Sequence, residues 1–352
     1  MWWGVVAAFV VGTLGLGAWL RWALAGVGGL PVPFADLRHA HSHLGYFGVL
    51  FPLAWAGLAT VGVVTPGPRW RWFYALSTVV AVVGFVTGGY GPVAIAGCTA
   101  VAVVWGVHAV ALRGHMRRLR DPVGAVPLGV LLSLACVPPV AVFLRSDPPL
   151  ALGFVSTFLA GLLLAVLVPA ALASRRISPG PWPFLLAMAA LSALALGVAP
   201  TGLTRVGLLA FGGLLLVPAW SPRLPLHLRT VWAAVALGLV ALALGLLPNT
   251  RPVALGAIHF LVLGPVLGSL APVWLRRNPP DGVWWVGHLT WATMAAALVV
   301  QGLGAGAWTW TVAAVGGTAT LVWWVGVMVF QLPVFDDDQT VDTRSTAEGP
   351  VR

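Results

Sequence analysis

Lysine is absent from this chain of 352 residues, so all 19 basic residues are arginines, and only 9 residues are acidic. Charged residues make up 8% of the whole, too few to coat a soluble domain of this size. The formal charge of +10 is dispersed over short arginine-bearing connections and forms no basic face, which excludes nucleic acid as a partner. Asp36, Asp121, Asp147 and Asp281 fall in loops and the other acidic residues fall near the C-terminus. No carboxylate therefore lies inside an apolar run, which argues against an ion- or proton-coupled carrier. The two cysteines, Cys98 and Cys136, form no metal or redox spacing motif and read as small buried hydrophobes. The opening MWWGVVAAFVVGTLGLGAWL has neither the basic start nor the small-residue cleavage site of a secretory signal, so it reads as a retained span.

What the chain has in abundance is apolar length. Hydrophobic residues are 59% of the chain and the mean hydropathy is +0.95, values of a multi-pass, all-α integral membrane protein, expected in a bacterial inner membrane with the lipid bilayer as its first partner. Runs long enough to cross a hydrocarbon core of about 30 Å predict about twelve helices. They cover 2–24, 40–64, 70–89, 91–112, 123–144, 149–173, 180–198, 201–220, 228–247, 252–274, 283–303 and 306–331. The chain thus divides into a helical domain, 1–334, and a polar tail, 335–352, expected to be disordered. Loops after even-numbered spans hold Arg69, Arg71, Arg113, Arg117, Arg118, Arg120, Arg175, Arg176, Arg223, Arg229, Arg276 and Arg277, whereas those after odd-numbered spans hold Arg21, Arg38, Arg145, Arg205 and Arg251. This imbalance puts both termini in the cytoplasm and the start of the second span at the outer face.

That start, DLRHAHSHLGYFGVLFP, carries three of the 8 histidines: His39, His41 and His43. The tenth span contributes His259, about 10 Å from its outer end at 1.5 Å per residue. Neutral imidazoles from two facing helices suit six-coordinate haem iron, with His259 opposite His41 or His43. Arg38 and Arg251, at the same face, are candidates to hold haem propionates. In a regular helix His39 and His43 share a face and His41 points nearly opposite, so the three do not act as one set. A copper-handling protein is the alternative, with His39, His41 and His43 capturing the ion and His259 completing the site. A carrier with structural histidines is the third reading. On the inner side His108 and His288 lie within spans as a candidate second site, while His115 and His227 sit among arginines and read as solvated loop residues. The tryptophans gather at span ends as interfacial belts do, and Tyr46 reads as an interfacial anchor.

These features resemble subunit I of the haem-copper oxidase and nitric oxide reductase superfamily. His41 precedes Pro52 in AHSHLGYFGVLFP with the spacing of the low-spin haem ligand in that family's second helix, and LRHAH supplies Arg38-x-x-His41. The same stretch is similar to the HAHEMLFG-type opening of NnrS-like membrane proteins, and AIHFLVLGPVLGSLAPV to their later HALTVGAMG-type helix. The resemblance implies a b-type haem, His41 and His259 as its ligands, a redox partner protein, and a role in electron transfer, respiration or nitric oxide and haem handling. It departs from the family in the tenth span, which has one histidine, and in residues 149–198, which have none. A binuclear centre for reducing oxygen or nitric oxide is therefore not expected.

Overall fold

The computed structural model describes residues 2–118, 121–173, 201–222, 224–248, 250–275 and 278–330, and among these there are helices and turns but no strand. The long helices are α1 (Trp2–Leu24), α2 (34–59), α3 (Pro68–Gly88), α4 (Pro92–Ala111), α5 (Ala125–Ser146) and α6 (Pro148–Ala173), followed by α7 (Thr201–Ala219), α8 (Leu226–Ala243), α9 (Arg251–Trp274), α10 (Asp281–Gly302) and α11 (Trp308–Val329). Among the described residues nine helices are long and apolar enough to cross a membrane, so the chain is a multi-pass membrane protein. Each long described helix falls on one of the expected runs; the span at 180–198 and the tail at 335–352 lie outside the described residues.

The largest departure is at α2, which begins at Phe34 rather than at 40 and ends at Ala59 rather than at 64. Pro33 sits at its N-cap and Asp36 in its first turn, where a carboxylate faces the positive end of the helix dipole. The histidine stretch is therefore inside the helix and not at its mouth. Midway, residues Leu44–Leu50 form a π-helical turn just before Pro52. In α9 the same happens at Val262–Val266, a turn that contains Pro265. A proline has no N–H to close the regular ladder and its ring crowds the preceding turn, and one extra residue in the loop relieves both.

Small residues set the helix spacing. A methyl group built on Gly97 of α4 would lie 2.4 Å from the Ala81 backbone nitrogen, and one on Gly84 of α3 would lie 2.3 Å from that of Ala94. The two helices of this hairpin thus touch backbone to backbone, a mode of packing that dominates where no hydrophobic force drives helices together. Gly97→Leu is expected to force α3 and α4 apart and lower stability by about 1–3 kcal/mol. A thermal-unfolding series in detergent, with the lipid-facing Val103→Leu as control, checks this.

At the centre stands α6, buried on all sides from Ala160 to Leu172. A helix apolar all round has no solvent face to offer and belongs in the interior. Outward-facing residues such as Leu76, Ile95, Leu237, Leu289 and Val322 are at least half exposed, forming an apolar outer surface that suits lipid tails. Helix α1 packs on α2 and α11, and α9 packs on α10, α8 and the lower part of α2. This arrangement brings the histidine-bearing turns of α2 and α9 together against α1.

Candidate functional site

His41 lies seven residues into α2 and His259 eight residues into α9, so both rings sit about 11 Å along their helices. Their centres are 6.2 Å apart and their planes are within 8° of parallel. The His41 Nδ1–H donates to the carbonyl oxygen of Thr13 on α1 at 2.9 Å. The His259 Nδ1–H donates to the carbonyl oxygen of Leu255, one turn earlier in its own helix, at 2.7 Å. A carbonyl only accepts, so each bond assigns the proton to Nδ1 and leaves the Nε2 lone pair free. Both rings are thereby held in the tautomer a metal ligand needs, by the backbone bond that ligating histidines commonly make.

The third member of the site is Arg21, which charge counting had placed in a loop. It is 92% buried in the last turns of α1, at 8% exposure, and its Nη1 donates to the Gly17 carbonyl oxygen at 2.6 Å. Gly17 is the close-approach point of the site: a methyl group there would lie 2.7 Å from His41 Cε1 and 2.9 Å from Arg21 Nη1. On the far side Arg21 Cδ is 3.3 Å from where a Gly317 methyl would lie, so α11 walls it in. No carboxylate pairs with Arg21 among the described residues. A buried guanidinium with one neutral acceptor has donors to spare and a charge to balance. The signal was available in the sequence, because GAWLRWALAGV keeps its apolar character beyond the arginine.

Arg38 is half-buried on α2 and Arg251 is exposed at the start of α9. The arginine that shares a close contact point with the His41 imidazole is Arg21. His39 and His43 face elsewhere. The His43 ring is 4.2 Å from Phe85 and 6.1 Å from Tyr90, and the His39 ring is 4.7 Å from Tyr90. His43 Nδ1–H donates to the His39 carbonyl oxygen. Helical phase has separated the triplet onto two faces, and among the described residues no group of three or more His, Cys, Asp or Glu side chains is placed to hold a metal ion. Cys98 and Cys136 are both free thiols.

The inner histidines pair differently from expectation. His108 does not join His288; its Nε2 donates to the Val64 carbonyl oxygen at 3.1 Å. His288 instead meets His227, with Nε2 of His288 at 2.9 Å from Nδ1 of His227. His227 is no loop residue. Helix α8 starts at Leu226, two residues earlier than expected, and tucks His227 to 3% exposure with its ring parallel to Trp284 at 5.6 Å. His115 is half-buried in a short helical turn, Arg113–Met116, rather than a solvated loop, with Nδ1 2.6 Å from Asp121 Oδ2.

Comparison of the chain with protein-family models, with curated proteins and with solved structures finds no match.

Proposed function

We propose that the chain is a twelve-crossing membrane protein of haem-copper-oxidase-like architecture, with both ends cytoplasmic, that binds one b-type haem near the outer face. His41 and His259 are the residues that would hold it, and its role is electron transfer, respiration or nitric oxide and haem handling. The observation that carries this reading is the parallel pair of rings at 6.2 Å with both Nδ1 atoms tied to backbone carbonyls. Two neutral imidazoles from neighbouring helices, each with Nε2 unbonded, suit the group in donor type and tautomer.

When bound, a haem ligated by two histidines supplies one-electron transfer at an iron with no open position for substrate. The protein's own part is threefold. Thr13 and Leu255 fix the two rings, so little rearrangement is needed at the iron. Arg21 offers a buried cation to a carboxylate, a charge-assisted bond that is strong where water is excluded. The walls of α1, α9 and α11 keep water away. Copper capture by the outer triplet draws less support, since His41 faces away from His39 and His43.

Expressed with adequate haem supply and purified, the protein is expected to show a Soret band and, on reduction, a sharp α band. A colourless protein carrying one copper ion per chain overturns the reading.

A further inference from the structure

A second buried polar group lies at the other end of the bundle, where α8 and α10 begin. Asp281, the first residue of α10, is 71% exposed, and its Oδ1 is 3.8 Å from Nε2 of His227, which is 3% exposed. Nδ1 of His227 is 2.9 Å from Nε2 of His288, and Nδ1 of His288 is buried without a protein partner. The three side chains form one line from solvent to interior, each step joining opposite nitrogens of an imidazole. Among the described residues, Asp281 is the charged group facing the pair. Arg229, on the same helix as His227, turns away to the Ala219 carbonyl oxygen. The ring neighbours on α10 are the indoles of Trp284, Trp285 and Trp291, and α9 contributes Gly268, whose missing methyl would lie 3.8 Å from His288 Cε1.

We propose that Asp281, His227 and His288 form a one-proton relay that loads a proton from the aqueous face into the interior at His288. An imidazole can take a proton on one nitrogen and release one from the other. In the starting state His227 carries its proton on Nδ1 and donates it to Nε2 of His288, which carries its own on Nδ1. A proton from water, drawn by the Asp281 carboxylate across a gap that one bridging water closes, adds to Nε2 of His227. The Nδ1 proton then passes to Nε2 of His288, which keeps its own Nδ1 proton and so holds the added one as an imidazolium. One proton enters and none departs: His227 ends neutral with its proton on Nε2, and His288 carries the charge. In that end state the His227 Nε2–H faces Asp281, so the carboxylate favours the loaded form.

Both rings pack against tryptophans, and the line resets by the reverse passage. It is therefore a reversible loading site and not a leak. Ser269 Oγ and Trp291 Nε1 are also buried without protein partners; the indole N–H can only donate, so it takes no proton from His288. Trp291 Nε1 borders Gly264 on α9, about 7.5 Å along that helix from His259.

The test needs no haem. Histidine-labelled full-length protein in lipid bilayers is examined by nitrogen NMR between pH 5 and 9. The expected result is two ring-nitrogen patterns for both His227 and His288 that interconvert together, with exchange slowed at least ~10-fold in Asp281→Asn. His288→Gln should abolish the exchange at His227. Asp281 is exposed, so its replacement does not threaten folding. One fixed protonation pattern in both rings across the range, or exchange unchanged in Asp281→Asn, overturns the relay. So does a tightly bound metal ion, one per chain, that is lost in His227→Gln, because the pair would then be a metal site.

Discussion

His41→Ala and His259→Ala are each expected to abolish the sharp α band of the reduced protein, whereas His43→Ala leaves it in place. The two imidazoles are the free-Nε2 pair at 6.2 Å, and removing either takes away one of two axial ligands. Haem then either leaves the protein or stays with a single ligand, and in both cases the low-spin spectrum is lost. His43, by contrast, packs on Phe85 and Tyr90 and bonds within its own helix. Thr13, whose backbone carbonyl orients His41, supplies a control. Such supporting partners typically tune ligand affinity by about 10–100-fold, but a side-chain substitution leaves this carbonyl in place, so Thr13→Val should retain the spectrum. Spectra of the four variants at matched protein concentration decide the matter. An unchanged α band in His259→Ala removes that residue from the site, and a lost one in His43→Ala with retention in His41→Ala exchanges their roles.

Much of this was readable before any coordinates. Run length and punctuation place the long helices, because a bilayer of fixed thickness demands a nearly fixed number of apolar residues. Counting residues inward from the expected span starts at 40 and 252 puts His41 a few ångströms shallower than His259; the start of α2 at Phe34 is what brings them to one depth. Helical phase separates His41 from His39 and His43. The choice between the two faces was not readable, since it depends on which neighbour α2 turns toward, and proline-linked π turns shift that phase partway along both helices. Arg21 was hidden for a different reason. Assigning arginines to loops by charge treats every one as exposed, and the six apolar residues that follow it were the contrary signal. His227 turned on a shift of two residues in a helix start, enough to convert a loop side chain into a buried one. Its partnership with His288 joins residues 61 positions apart through tertiary packing, which a periodic pattern does not encode.

Arg21→Met should act in opposite directions on the empty and the haem-loaded protein. Without a ligand the guanidinium is buried beside two imidazoles, with the Gly17 carbonyl as its hydrogen-bond acceptor and no carboxylate partner among the described residues. An uncompensated buried charge costs about 3–5 kcal/mol. Methionine matches much of the volume, fills irregular gaps and carries no charge, so the empty variant should resist unfolding better than the parent. The loaded parent gains what the variant lacks, because a carboxylate of the bound group neutralises Arg21 where solvent screening is weak. Unfolding midpoints for parent and variant, each measured empty and loaded in the same detergent, give four values whose cross-difference isolates the coupling. The expected pattern is a stabilised empty variant that loses haem faster than the parent. If Arg21→Met lowers the stability of both forms equally, the arginine is a packing element of α1 and its charge answers to no ligand.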